Sequence, residues 1–255
     1  MTANAMFVVE DGIVVFSDGA AYDETGTVRQ IHDKQLIRVD IDTVITCSSS
    51  GSGLSLLNLA MSSDAPRGFD DVADQMPGWS REVHAMMMAA FPERGETENW
   101  AMYLCGGWSE RAQAWKAFFI ITMPGSLLGM QCEAHTPVPL VSYTKPAASA
   151  EALEKVGLPT DLRALTGPID PHDLGLRLMM ALRHTEQTEI HGPGSRSGYI
   201  VGGFLQHTHL RRGRAETRIA YRWPDEIGRP IDPSGDPPFT IEYGTAPASA
   251  MEAAE

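Results

Sequence analysis

The period of the apolar pattern changes near residue 48, and that change restricts the possible folds of this chain more than any other feature. Before it, Met6 to Val9, Ile13 to Phe16, Thr27 to Ile31, Gln35 to Val39 and Thr43 to Cys47 are short runs separated by polar turns, with Asp11-Gly12 a hairpin signal. They predict an antiparallel meander. After the small residues Ser48 to Gly53, Leu54, Leu56, Leu57, Leu59 and Met61 follow a helical period, with the serines as N-cap candidates. Phe69 to Phe91 reads as a second helical region interrupted at Pro77-Gly78. Trp100 to Cys105 and Ala114 to Met123 then read as a strand pair joined through Gly106-Gly107.

The stretch from Pro124 to Thr166 is irregular, with one short helix expected over Ala148 to Val156. Asp170-Pro171 opens a helix through Leu174, Leu178, Met179 and Leu182. His191 to Gly198 reads as a loop, Tyr199 to Leu205 as a strand and Arg218 to Arg222 as its hairpin partner. The order is strands, helices, strands, helix, strands, with no βαβ alternation. That favours an α+β sandwich in which helices cover the outer faces of antiparallel sheets. One domain over 1–223 is expected, followed by a Pro-rich polar tail, 224–255, extended or loosely docked.

At 255 residues the chain is long enough to bury roughly 70–75% of its unfolded surface. Thirty-three carboxylates against twenty Lys and Arg leave a net charge of −13, which repels polyphosphate and anionic lipid. Nucleic-acid and membrane partners are therefore not expected. Cys47, Cys105 and Cys132 are too few and too scattered for a disulfide framework or a metal knuckle. The N-terminus carries no secretory pattern, so a reducing, cytoplasmic location is expected.

Removal of Met1, which a small second residue permits, places a hydroxyl and an α-amine on Thr2. The amine, with an ordinary pKa of about 7.7–8.0, can take the hydroxyl proton and activate an otherwise weak nucleophile. Asp18 follows Thr2 by sixteen residues, in Val-Val-Phe-Ser-Asp-Gly, and Lys34 follows Asp18 by sixteen more. With these and the small-residue turn at 48–53, the chain resembles the proteasome β-subunit family of N-terminal-nucleophile (Ntn) hydrolases, including the HslV-type peptidases. Leu104-Cys-Gly-Gly107 is similar to the family's central strand, and Asp170 to Thr185 with Gly194 to Tyr199 to its late helix, Ser-Gly turn and strand.

The resemblance implies a four-layer αββα sandwich and a threonine peptidase needing no cofactor and no metal. It casts Thr2 as nucleophile, Asp18 and Lys34 as the pair that tunes its amine, Ser48 as a backbone oxyanion donor at the start of the helical segment, and Ser197 as the late serine. Ala21, His32, Thr46 and Ser50 fall where the family lines its first substrate pocket, and His32 and Lys34, two apart on an expected strand, should share a face. It also implies a homo-oligomer of one or more rings, a peptide substrate, and an unfoldase or assembly partner. Gly194 stands where the family has a supporting acid, Ser48 where it has Gly, and 125–150 holds no match to its Ser-Gly-Ser segment. An inactive assembly protein keeping the fold, and an amidohydrolase for a small metabolite, are the alternatives.

Other patterns read more plainly. His207 and His209 are expected to be surface histidines rather than a two-imidazole metal site without a third ligand. Gly192 to Gly198 lacks the Lys of a phosphate loop and reads as a turn. Arg211 to Arg214 reads as a solvated hairpin tip, and Met86 to Met88 as helix core and flank.

Overall fold

The computed structural model describes residues 2–23, 25–49, 52–93, 99–127, 130–166, 169–187 and 197–237. The chain opens with β1 (Asn4–Val9), β2 (Gly12–Asp18), β3 (Ala20–Tyr22), β4 (Val28–Ile31), β5 (Gln35–Arg38) and β6 (Thr43–Ser49). Two helices follow, α1 (Gly53–Ser63) and α2 (Phe69–Ala90), then β7 (Ala101–Ser109), β8 (Ala114–Ile121), β9 (Gly125–Leu127), β10 (Met130–Cys132), β11 (Val138–Leu140) and β12 (Ser142–Lys145). The last elements are α3 (Ala150–Lys155), α4 (Pro171–Arg183), β13 (Phe204–Arg211) and β14 (Arg214–Arg222). One five-stranded sheet has the order β12-β1-β2-β13-β14, the other β11-β8-β7-β6-β5, and every pairing is antiparallel. The protein is thus a mixed α+β structure.

Strand alternation sorts the apolar residues into three clusters. Met6, Ile13 and Val15 of the first sheet meet Val44, Met102, Leu104 and Phe119 of the second. On the opposite side of the first sheet, Phe7, Val14, Phe16 and Leu205 pack against Leu153 of α3 and Leu178, Met179 and Leu182 of α4. On the opposite side of the second, Ile45, Tyr103, Cys105, Phe118 and Ile120 pack against Leu57 and Met61 of α1 and Val72, Met76, Val83 and Met87 of α2. Helix α4 is capped by Asp170, whose side chain accepts from the His172 amide, and it lies so close to β2 that a Cβ on Gly175 would stand 2.1 Å from the Phe16 ring.

Several sequence expectations are corrected. The first six strands do not form one meander: β1–β2 joins one large sheet, β5–β6 the other, and β3–β4 pair apart. Helix α2 runs unbroken through Pro77. The lost backbone bond costs about 3 kcal/mol, less than the burial of Val72, Met76, Trp79, Val83 and Met87 at about 1.5–3 kcal/mol each. Gly106 and Gly107 sit within β7, not in a turn. A Cβ on Gly107 would meet the Asp42 carbonyl at 2.6 Å and the Phe69 ring at 2.5 Å. Ser52, at the N-cap of α1, makes no side-chain cap bond. The strand expected over Tyr199 to Leu205 begins only at Phe204, because Gly203 adopts φ +74°. The segment after Trp223 is anchored as far as residue 237: Trp223 and Ile231 are buried and Asp225 and Asp236 pair with Arg183. Residues 238–255 of the expected tail lie outside the described residues.

Candidate active site

Asp18 closes β2 with its carboxylate wholly buried. Oδ1 accepts from Lys34 Nζ at 3.0 Å and from the Ala3 amide at 3.0 Å, while Oδ2 accepts from the amides of Ala20 at 3.2 Å and Gly202 at 3.4 Å. Lys34 also donates to the Ala20 carbonyl. An ammonium has three N–H groups, so one has no partner among the described residues. Burial pushes the Lys34 ammonium below its ordinary pKa, with Asp18 pulling the other way. Burial likewise raises the Asp18 carboxyl against the pull of Lys34 and its backbone donors. The pair is therefore a buried, hydrogen-bonded ion pair next to Thr2 and Ala3.

Thr2 precedes this centre and is buried. Its carbonyl accepts from Ser48 Oγ at 2.7 Å, and Ser48 Oγ accepts from Asn4 Nδ2 at 3.3 Å. The single hydroxyl proton goes to Thr2, so Asn4 must present its amide nitrogen to Ser48 and turn Oδ1 away. Asn4 Oδ1 and Thr46 Oγ1 are buried and have no hydrogen-bond partner among the described residues. Across the sheets from there, Gln35 donates to Ser17 Oγ at 2.9 Å and accepts from Thr208 Oγ1 at 2.5 Å.

The structure thus brings together Thr2, Asp18, Lys34 and Ser48, with Thr46 opposite Gln35 in the β5–β6 register. Ser48 lies inside β6, five residues ahead of α1, and not at a helix start as expected; it reaches Thr2 through its hydroxyl. Ala21 is half-buried in β3. His32 and Lys34 lie in the connection between β4 and β5, so the strand rule does not apply: His32 is exposed, its ring Nδ1 2.8 Å from the Asp33 carbonyl, whereas Lys34 turns inward. Ser197 is exposed, next to the bridge between Gln187 and Gly198. Met1, Ser50 and Gly194 lie outside the described residues, as does most of the 192–198 turn.

Sequence reasoning missed Asn4 and Gly202. Asn4 leaves a signal, since a polar residue replaces an apolar one at the inward position of Ala3-Asn-Ala-Met6. Gly202 leaves none, because its amide reaches Asp18 across 184 residues of sequence.

The histidines of β13 are not at the surface. His207 and His209 are buried because β13 lies between β2 and β14 and faces α4. His172 Nδ1 stands 2.8 Å from His207 Nε2, and Arg218 Nε donates to His207 Nδ1 at 3.3 Å. Burial, helped by His172, Arg218 and His209, holds His207 down to a pKa of about 3. Among the described residues no group of three or more His, Cys, Asp or Glu is arranged to hold a metal ion, and no helix is long and apolar enough to cross a membrane. The three cysteines are buried and form no disulfide.

Compared with known proteins, the chain matches no family model and no curated protein.

Proposed function

We propose that the chain is an N-terminal-nucleophile hydrolase of the proteasome β type, which cleaves peptide or other amide bonds through Thr2 once Met1 is removed. The observation that carries this reading is the buried Asp18–Lys34 ion pair, whose members follow Thr2 by sixteen and thirty-two residues: Asp18 accepts from the amide of Ala3, next to Thr2, and one Lys34 N–H has no partner among the described residues. The three apolar clusters support the finer fold assignment, a four-layer αββα sandwich, since each lies between a different pair of layers.

In this reading the α-amine of Thr2 takes the hydroxyl proton as Oγ forms its bond to the substrate carbonyl carbon. The proton passes to the departing nitrogen as the C–N bond breaks, leaving an ester on Thr2. Water then adds, and the acid and free Thr2 leave. Lys34 favours the neutral amine and the developing negative charge by its own positive charge, and Asp18 fixes its position. A ring-forming homo-oligomer in the cytoplasm belongs to the same proposal, and light scattering at micromolar protein tests it: a monomer contradicts it.

Turnover of a panel of fluorogenic peptide amides tests the chemistry. Thr2→Ala should abolish it, and Thr2→Ser, which keeps hydroxyl and amine, should retain part. Unchanged turnover in Thr2→Ala overturns the reading.

A further inference from the structure

A second lysine, Lys145, stands near the same end of the two sheets and has no carboxylate partner among the described residues. Lys145 pairs with Asn4 in the antiparallel register of β1 and β12, so the two side chains share a face. Two residues along, the next pair on that face, Met6 and Tyr143, lies in the cluster between the sheets. The Asn4 amide reaches Ser48 of the opposite sheet, and Lys145 Nζ sits 5.1 Å from the Trp100 ring centroid, next to β7 of that sheet. Lys145 therefore stands between the sheets at the end occupied by Thr2, Asn4, Thr46 and Ser48.

Its chemistry differs from that of Lys34. Among the described residues no carboxylate lies within ion-pair distance of Lys145, and its charge meets only an aromatic face. Burial also presses its ammonium toward the neutral form. Asn4 Oδ1, on the residue paired with Lys145, and Thr46 Oγ1, two residues along β6 from Ser48, are buried oxygens with no hydrogen-bond partner among the described residues. A half-buried cation without a counter-charge and an unpaired buried acceptor each cost free energy, so a ligand that satisfies both gains from both.

Resting on the hydrolase reading above, we infer that this end of the two facing sheets takes amide substrates bearing a carboxylate: the carboxylate meets Lys145, and a substrate N–H meets Asn4 Oδ1. The selected class is acidic peptides or acylated amino acids with a free acid. In a chain of net charge −13, a cation without a carboxylate among the described residues also admits an anion that the overall charge repels.

The test has two arms. In the first, matched peptide amides carrying Glu or Gln at each position flanking the cleaved bond are compared in wild type, Lys145→Met and Lys145→Arg. Wild type and Lys145→Arg should prefer a Glu peptide by about tenfold in kcat/KM, and Lys145→Met should lose that preference. An equal preference in Lys145→Met overturns the inference. The second arm needs neither turnover nor a variant. Trinitrobenzenesulfonate labelling of Lys145 in the wild-type protein, read by peptide mass, should be slowed saturably by glutarate and not by glutaramide, with exposed Lys116 as the unaffected control. Equal labelling with both probes overturns the anion site. Protection by glutarate without hydrolysis of any peptide keeps the anion site and sinks the hydrolase reading alone.

Discussion

Two buried cations, Arg183 and Lys34, are satisfied to different degrees. Arg183, wholly buried at the end of α4, spends its whole guanidinium: on Asp225 and Asp236 at 2.8–3.0 Å, and on the carbonyls of Val201 and Asp232. Asp225 also accepts from the Gly203 amide at 2.7 Å, which pins the segment whose neighbouring Gly202 contacts Asp18. Lys34 pairs with one carboxylate and one carbonyl, and its third N–H has no partner among the described residues. A saturated buried ion network holds chain segments in place. On the proposed hydrolase reading, an unsaturated one beside Thr2 can assist proton movement, and that difference separates scaffold from site.

Substitutions sharpen the contrast, beginning with the largest expected effect. Lys34→Met should lower turnover by about 10²–10⁴-fold, because the charge that tunes the Thr2 amine is gone. Rates on folded protein, gated by circular dichroism, check this; a loss under tenfold would place Lys34 with Arg183 as scaffold. Arg183→Met strands two buried carboxylates and should cost about 3–5 kcal/mol in denaturant unfolding while leaving the pH profile of turnover unmoved. A shifted profile would blur the distinction.

His207 offers a third case, a buried group held neutral. Its folded pKa of about 3 lies below the ordinary value of 6.5, so the folded state binds fewer protons and its contribution is present above pH 6.5. Stability should fall as pH drops from about 6.5 toward about 3, by about 2 kcal/mol at pH 5 from this group. Urea midpoints against pH, flatter in His207→Gln, check the sign. Gly175→Ala, which drives a Cβ into the Phe16 ring, should cost about 1–3 kcal/mol with catalytic parameters unchanged.

The parts of this picture that local patterns encode were legible in the sequence. The β1–β2 hairpin followed from Asp11-Gly12 between apolar runs, and α4 from its Asp-Pro start. Asp18 and Lys34 were reachable because a resemblance supplied their spacing; nothing in their immediate surroundings says that they meet. Contacts set by tertiary packing stayed hidden. Arg183 finds its carboxylates 42 and 53 residues away, where a single sequence offers no register. Gly106 and Gly107 looked like a turn because glycine marks both turns and close approach, and only the Asp42 carbonyl and the Phe69 ring decide between them. His32 was placed with Lys34 by a strand rule, and the chain leaves the strand at Ile31.

The central claim is that Thr2 becomes a free N-terminal nucleophile. Intact-mass spectrometry of the native protein after exposure to a peptide epoxyketone, which needs both the hydroxyl and the α-amine, tests it most directly. The account predicts a chain lighter by one Met residue and carrying a single adduct on Thr2, absent from Thr2→Ala. Retention of Met1 in every molecule, with no adduct, would contradict it and leave an assembly protein that keeps the fold without turnover.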